Sequence, residues 1–382
     1  MPMLPVIADR DFNRVAVFDD YISFIWTTRY YEVGDFELCL SVDDRSLRFI
    51  QYGFYVLRDD DEHAGIIERI QIQRTEDGQD MIVASGRFLS SILARRIVHQ
   101  QTQVYGTVET CVKKLIDENV IDPDDTDRRI PGFVYGEFDT PPDTFRAQYT
   151  GKNLLEIVAG ICKTYGLGFR TVLNEEDEFE FSVFAGVDRS YAQTVNPYVI
   201  FSDKYENLSS SDYEENYENI VTDVLVAGEG EGLDRKTIWA RKETLTGLAR
   251  YEMYKDARNQ STNEGEIPDA QYYAELEADG LESVSAYNSA FVGEVYFGEN
   301  IQYRRDVGIG DICVIQNSAW GLSIAARLVE VIESVGEDGA YTVVPSFEFF
   351  SAIDRDGNEW LRCENEDILW AEDGDGLLLE GD

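Results

Sequence analysis

A mainly β fold with α+β insertions is what this sequence predicts, and three observations carry the prediction. The stretch Phe36 to Val42 alternates strictly, with Phe36, Leu38, Leu40 and Val42 set against Glu37, Cys39 and Ser41. That is a strand with one packed face and one wet face. Further short apolar segments are separated by acidic turn clusters such as Asp59-Asp60-Asp61 and Glu76-Asp77-Gly78, the punctuation of a barrel or sandwich. After Gly106 and again after Gly151 the apolar period lengthens to that of a helix.

In chain order, residues 1–95 supply the strands in RVAVFDDYISFIWTTRY, RYYEVGDFELCL, YGFYVLRDD, HAGIIERIQIQRTEDG and DMIVASGRFLSSILARRIV, a first barrel-like unit. Residues 96–200 read as a small α+β unit. Its first helix places Val108, Val112, Leu115 and Ile116 on one face, with Thr107 as N-cap and Glu109 near the positive end of the dipole. Its second carries the stripe Leu154, Leu155, Val158, Ile161, Cys162 and Tyr165, and Gly166 supplies the stop. The strands GFRTVL and EFEFSVFAG follow. Strands return over 201–240 to complete the β framework, where Gly230 to Gly232 suit a hairpin turn. Residues 241–280 hold a polar loop and a short helix that opens at the N-cap Asp269 and ends at Gly280. Residues 281–350 form a second barrel-like unit, and the acid-dense residues 351–382 read as a tail or partner-binding arm.

Charge narrows the function. With 33 Lys and Arg against 74 Asp and Glu, the 382-residue chain carries a formal charge of −41. Such a surface repels phosphate backbones and anionic lipid, so sequence-specific nucleic-acid binding is not expected. No run of about 18 apolar residues occurs, and MPMLPVIADRDF lacks the basic start and apolar stretch of a secretion signal. Neither membrane insertion nor self-encoded export is expected. Cys39, Cys111, Cys162, Cys313 and Cys363 are scattered and odd in number, which reads as semi-buried thiols in a reducing cytosol.

Candidate chemistry is sparse. DPDDTDRR, with Asp122, Asp124, Asp125 and Asp127, lacks the turn glycine and distal Glu of a calcium loop and reads as a solvated acidic loop. DRDGNEW, with Asp354, Asp356 and Asn358, places Gly357 too early for an EF-hand. AGEGEG and VGIGD lack the Lys and Ser/Thr of a phosphate loop and read as turns. His63 and His99 are the only histidines, and neither lies in a nucleophile motif. No catalytic residue, metal ligand or cofactor is expected.

Several segments recur in a telling order over roughly residues 1–350: RYYEVGDFELCL, the helix after YTGKNLLEIV, RYEMYKDAR, and then VGIGDICVI, AARLVEVIE and YTVVPSFEF. This order and spacing resembles the tail-tip hub proteins of long-tailed bacteriophages and prophages, the family that includes the N-terminal parts of tail-associated lysins and prophage tail endopeptidases. The resemblance implies two β-barrel-like domains with α+β insertions, as in phage baseplate hubs, and three copies forming a ring of six barrels through which DNA passes. It implies a homotrimer at the virion tail tip, made in the host bacterial cytoplasm. Its partners would be a distal tail or tail tube protein, a tape measure protein and a downstream tip or receptor-binding protein. On its motifs, Arg29, Tyr30, Gly34, Asp35, Phe36, Glu37, Leu38, Gly310 and Asp311 are expected to serve fold or interface. A lytic or receptor-binding extension would then be a separate protein or absent. Two rivals stand beside this reading: a cell-wall hydrolase, and a β-rich saccharide-binding protein using some of the 22 tyrosines as stacking surfaces.

Overall fold

The structure, a computed structural model, describes residues 3–74, 78–208, 212–216, 218, 220–284, 288–292, 301–320 and 322–349. Along the chain, β1 (Val6–Ala8), β2 (Arg14–Val17), β3 (Ser23–Arg29) and β4 (Asp35–Ser41) lead into α1 (Asp44–Phe49). Then come β5 (Tyr55–Arg58), β6 (Asp61–Ile66), β7 (Arg69–Arg74) and β8 (Asp80–Arg87). The next unit holds β9 (Thr102–Thr107), α2 (Val108–Ile116), β10 (Phe133–Phe138), β11 (Thr144–Tyr149), α3 (Leu154–Thr164), β12 (Gly168–Leu173) and β13 (Phe179–Phe184). It is followed by β14 (Ile200–Ser202), β15 (Asp212–Asn216), β16 (Asp223–Ala227), β17 (Thr237–Arg241), β18 (Glu252–Asp256), α4 (Asp269–Leu281) and β19 (Asn288–Val292). β20 (Ile312–Asn317), β21 (Leu322–Val335) and β22 (Tyr341–Phe349) end the described chain.

The fold is mostly β, and the described residues form five sheets, the largest of ten strands. Its main path runs β15-β19-β22-β21-β3-β4-β8-β7, with β20 beside β21 and β14 beside β20. β21 makes one sheet out of two halves. Its first part, Leu322–Arg327, pairs with β20, and its second, Glu330–Val335, pairs with β3. A bulge between Leu328 and Glu330 separates the two. The sheet β2-β1-β5-β6 covers one face of β3, β4 and β8, and Ile7, Phe24, Trp26, Phe36, Leu38 and Val56 share the core between them. A second core, with Phe201, Cys313, Ile315, Leu328 and Phe347, lies on β14, β20, β21 and β22. Among the described residues the strand path does not close on itself, because β7 and β15 are its two ends. The barrel-like units of the sequence therefore take the form of two packed walls of one open sheet.

In the α+β unit, α2 and α3 share a core with Phe169 and Phe181 of the sheet β10-β13-β12. Thr107 caps α2 by accepting the Thr110 N–H, Asn153 caps α3, and Gly166 follows α3 with φ +66°. Other local expectations change. α1 has no apolar period to reveal it and is set by a capping box between Asp43 and Ser46. α4 opens after Pro268, so Asp269 lies in its first turn instead of capping it. Of the strands over 201–240, β14 and β15 join the large sheet, but β16 and β17 pair with β18 in a separate sheet. The reason is burial: Tyr272 and Leu276 of α4 need an apolar face, and Val224, Val226 and Ala240 supply it. Residues 351–382, with DRDGNEW and Cys363, and the acidic turn residues Glu76 and Asp77 lie outside the described residues.

Candidate functional site

β3 ends at Arg29, and the next residue enters the place where the two halves of the large sheet meet. The Tyr30 N–H donates to the Val329 carbonyl at the bulge of β21 (2.9 Å). Its side chain is fully buried. The hydroxyl accepts from the Gly186 N–H (3.1 Å) and from Arg327 Nη1 (3.3 Å), and its own proton has the carbonyls of Gly166 (3.0 Å) and Phe184 (3.2 Å) as acceptors. Burial pushes this phenol above its usual range, so it stays a neutral donor. Gly166 follows α3, Phe184 ends β13 and Arg327 belongs to β21. One hydroxyl thus ties the α+β unit to the large sheet.

Gly310 completes the junction. Its N–H donates to the Leu328 carbonyl (2.7 Å), its φ is +90°, and a Cβ there would lie 2.2 Å from the Tyr30 ring. Only glycine fits. Asp311 accepts from the N–H groups of Val187 and Gly308 (both 2.9 Å) and from Arg189 Nε (2.7 Å), pinning the stretch after β13 against the loop before β20. Arg29 turns towards β21 and β4, donating to Glu330 (2.6 Å), to the Val33 carbonyl (3.2 Å) and to Asp35. The fold therefore gathers Arg29, Tyr30, Asp35, Gly310 and Asp311 at one junction. Gly34, Phe36 and Leu38 are buried beside it, and Glu37 is exposed on the opposite face of β4.

A second cluster is not evident from sequence. Asp59-Asp60-Asp61 reads as a turn, yet Asp61 opens β6 with its side chain only 2% exposed. It accepts from Trp26 Nε1 (2.9 Å), pairs with Arg304 and holds His63 Nδ1 (2.7 Å). Glu333, on the core-facing side of β21 and fully buried, pairs with Arg58 (3.1 Å) and Arg304 and accepts from the Tyr341 hydroxyl (2.6 Å). Arg58, also fully buried, forks onto Asp60 at 3.0 and 2.7 Å. This network rivets the small sheet of β5 and β6 to β21.

Burial opposes the charge on Asp61, but His63 and Arg304 outweigh it and hold the carboxyl well below the usual range. Glu333 is held low in the same way, by Arg304 and Arg58 against burial. Carboxylates depressed in the folded state add stability above their unfolded values and lose it as pH falls through about 4 towards the folded values. Glu282, which burial pushes up, works oppositely: its contribution is present below the unfolded value and lost as pH rises through the folded one. The network dominates, so the melting temperature is expected to fall on acidification below about pH 4.5. A melting temperature that rises over that range would contradict the network.

Reactive chemistry finds little support here. Cys39, Cys111, Cys162 and Cys313 are free and buried, and burial pushes the Cys111 and Cys162 thiols up to about 12, too high for a thiolate at neutral pH. Among the described residues no group of three or more His, Cys, Asp or Glu could hold a metal ion, and no helix is long and apolar enough to cross a membrane. His99 receives Arg128 Nη1 on Nδ1 (2.6 Å) and, with Glu118, Asp122 and Asp124, lines a polar cleft of about 240 Å³.

The family model described as Siphovirus ReqiPepy6 Gp37-like protein matches residues 4–347. No curated protein sequence matches significantly. Solved structures share the fold at low identity. The tail protein from Neisseria meningitidis MC58 is 14% identical with a TM-score of 0.54, the match covering 92% of this chain and 97% of that one. The 43 kDa tail protein of prophage MuSo2 from Shewanella oneidensis is 11% identical with a TM-score of 0.52, over 91% and 97%. Prophage tail protein gp18 from Listeria monocytogenes EGD-e is 14% identical with a TM-score of 0.50, over 91% and 94%.

Proposed function

This chain belongs to the Siphovirus ReqiPepy6 Gp37-like protein family, and on that premise we propose that it is a structural, virion-associated tail protein: a hub that closes as a homotrimeric ring at the tail tip. The observation that carries this is the eight-strand path with two chemically unlike ends. At one end, β7 reads RIQIQR and every residue is exposed. Two core-facing rows, Phe24-Leu38-Ala84-Ile70 and Leu40-Ile82-Ile72, run off the covered core onto it. Ile70 and Ile72 are 37% and 57% exposed, an apolar edge that invites another strand. At the other end, β15 reads DYEEN. A basic, apolar edge and an acidic edge on one sheet are complementary between copies, and a head-to-tail contact of this kind makes a ring where the rotation between copies closes. Three copies of an eight-strand path make a wall of 3 × 8 = 24 strands.

The face of the sheet that carries Glu37 also carries Ser23, Ser85, Ser334, Thr342 and Ser346. The same face carries the apolar Ile25, Val83, Ile332 and Val344, so it is the formal ring charge of 3 × (−41) = −123 that suits a channel along which DNA slides without sticking. Such a ring would join the tail tube or distal tail protein and the tape measure protein on one side to a tip or receptor-binding protein on the other. The role is one of assembly, not catalysis. Ile72→Asp tests it: the exposed position should leave the unfolding free energy within about 0.5 kcal/mol of the parent while the variant stays monomeric in light scattering. Undiminished assembly in Ile72→Asp would remove the β7 edge from the interface.

A further inference from the structure

The lobe of β16, β17, β18 and α4 has an outer face that ring closure does not use. Register defines it residue by residue. Asp223, Leu225 and Ala227 of β16 pair with Arg241, Trp239 and Thr237 of β17 and with Glu252, Tyr254 and Asp256 of β18. Paired residues project to the same side, so these nine form a three-by-three grid. The alternate residues, including Val224, Val226 and Ala240, pack against α4. α4 in turn is anchored to the α+β unit by Gln148 on Glu275 (3.2 Å), Lys152 on Asp279 (2.6 Å) and Tyr149 on Glu282 (2.6 Å). The grid therefore faces away from that unit.

Its central row is Trp239, Leu225 and Tyr254, flanked on one side by Arg241, Asp223 and Glu252 and on the other by Thr237, Ala227 and Asp256, of which Asp223 and Ala227 are buried. Tyr254 is 56% exposed, and Tyr251, just before β18, is 43% exposed. Arg250 lies over the Trp239 ring at 4.6 Å while paired with Asp223 (3.0 Å) and Glu252 (2.6 Å). Arg235 donates to the Tyr254 hydroxyl (2.7 Å) and pairs with Asp256 (2.5 Å).

We propose that this face binds a neutral saccharide chain. A pyranose offers one apolar C–H face and a rim of hydroxyls. Tyr254 and Leu225 meet the first, Arg250 lying over the Trp239 ring, and guanidinium–carboxylate pairs on both sides supply donors and acceptors for the second. Charge selects the ligand class. Residues 223–258 hold seven Lys and Arg and seven Asp and Glu, a local balance of 7 − 7 = 0 in a chain of formal charge −41. A balanced patch matches an uncharged ligand. Single-stranded nucleic acid also stacks on aromatic rings, but here its phosphates would meet an acidic chain whose local arginines Arg235 and Arg250 are already paired.

The test uses the full chain with immobilised and soluble neutral oligosaccharides of glucose, galactose, rhamnose and N-acetylglucosamine as probes. Saturable binding to at least one is expected, weakened about tenfold by Tyr254→Ala and retained by Tyr254→Phe. Tyr105→Ala, at a 63%-exposed tyrosine on β9, should bind like the parent. Melting temperatures of all three variants should match the parent, so that a loss of binding is not a loss of fold. Absence of binding to every probe, or binding indifferent to Tyr254→Ala, would overturn the proposal. So would a Tyr254→Ala chain that loses only a contact with a neighbouring tail protein, which would assign the face to protein packing.

Discussion

Replacing Glu333 by Leu is expected to destabilise the protein by about 3–5 kcal/mol, a large share of the stability of any domain. Glu333 is the carboxylate that Arg58 and Arg304 share, and both it and Arg58 are fully buried. Removing it leaves Arg58 with Asp60 and Arg304 with Asp61, takes away the carboxylate that lies between the two guanidinium groups, and strips the Tyr341 hydroxyl of its acceptor. Breaking a buried pair by removing one partner costs far more than the intact pair contributes, so the double variant Arg58→Met with Glu333→Leu should recover much of the loss. Thermal melts of the parent, single and double variants measure this directly. A single variant that melts with the parent would mean that water reaches the cluster and that it does not clamp β5 and β6 to β21.

Leu38→Ala is expected to cost about 2–5 kcal/mol, while Glu37→Lys, one residue away, should stay within about 0.5 kcal/mol of the parent. Leu38 is fully buried in the row between Phe24 and Ala84, whereas Glu37 projects from the other face opposite Ile25 and Ser85. The alternation of a single strand thus becomes a stability difference between neighbouring positions. Chemical denaturation of the two variants would expose an inverted register at once, as a silent Leu38→Ala beside an unfolded Glu37→Lys.

What the chain discloses before folding follows from how local each signal is. The strand at 35–41 and the helices at 108–116 and 154–164 carry their own period and caps, so they are legible from neighbouring residues alone. The union of β3 with β21 is not, because Arg29 and Glu330 lie 301 positions apart and only the folded sheet brings them together. The Tyr30 junction was half legible: RYYEVGDF and VGIGD stand out as motifs, but nothing local says that Gly310 packs against the Tyr30 ring. The ion network left a signal of a subtler kind. Arg58 follows Val56 on the inward face of β5, and Glu333 stands between Val331 and Val335 on the inward face of β21. A charge at an inward position of an apolar alternation marks a buried pair, although the identity of the partner waits on tertiary structure. The separate sheet of β16, β17 and β18 was hidden because its strands alternate like those of the main sheet, and only the demand of α4 for an apolar face divides them.

Closure of three copies through the β7 and β15 edges is the central claim, and light scattering of the full chain across a concentration series in moderate salt tests it most directly. Salt matters because acidic copies repel one another when unscreened. The weight-average mass should climb with concentration and level off at three chain masses for the parent, with Ile72→Asp remaining at one. A parent mass that stays at one or two chain masses at every concentration, alone and after mixing with the neighbouring tail proteins, would contradict the ring.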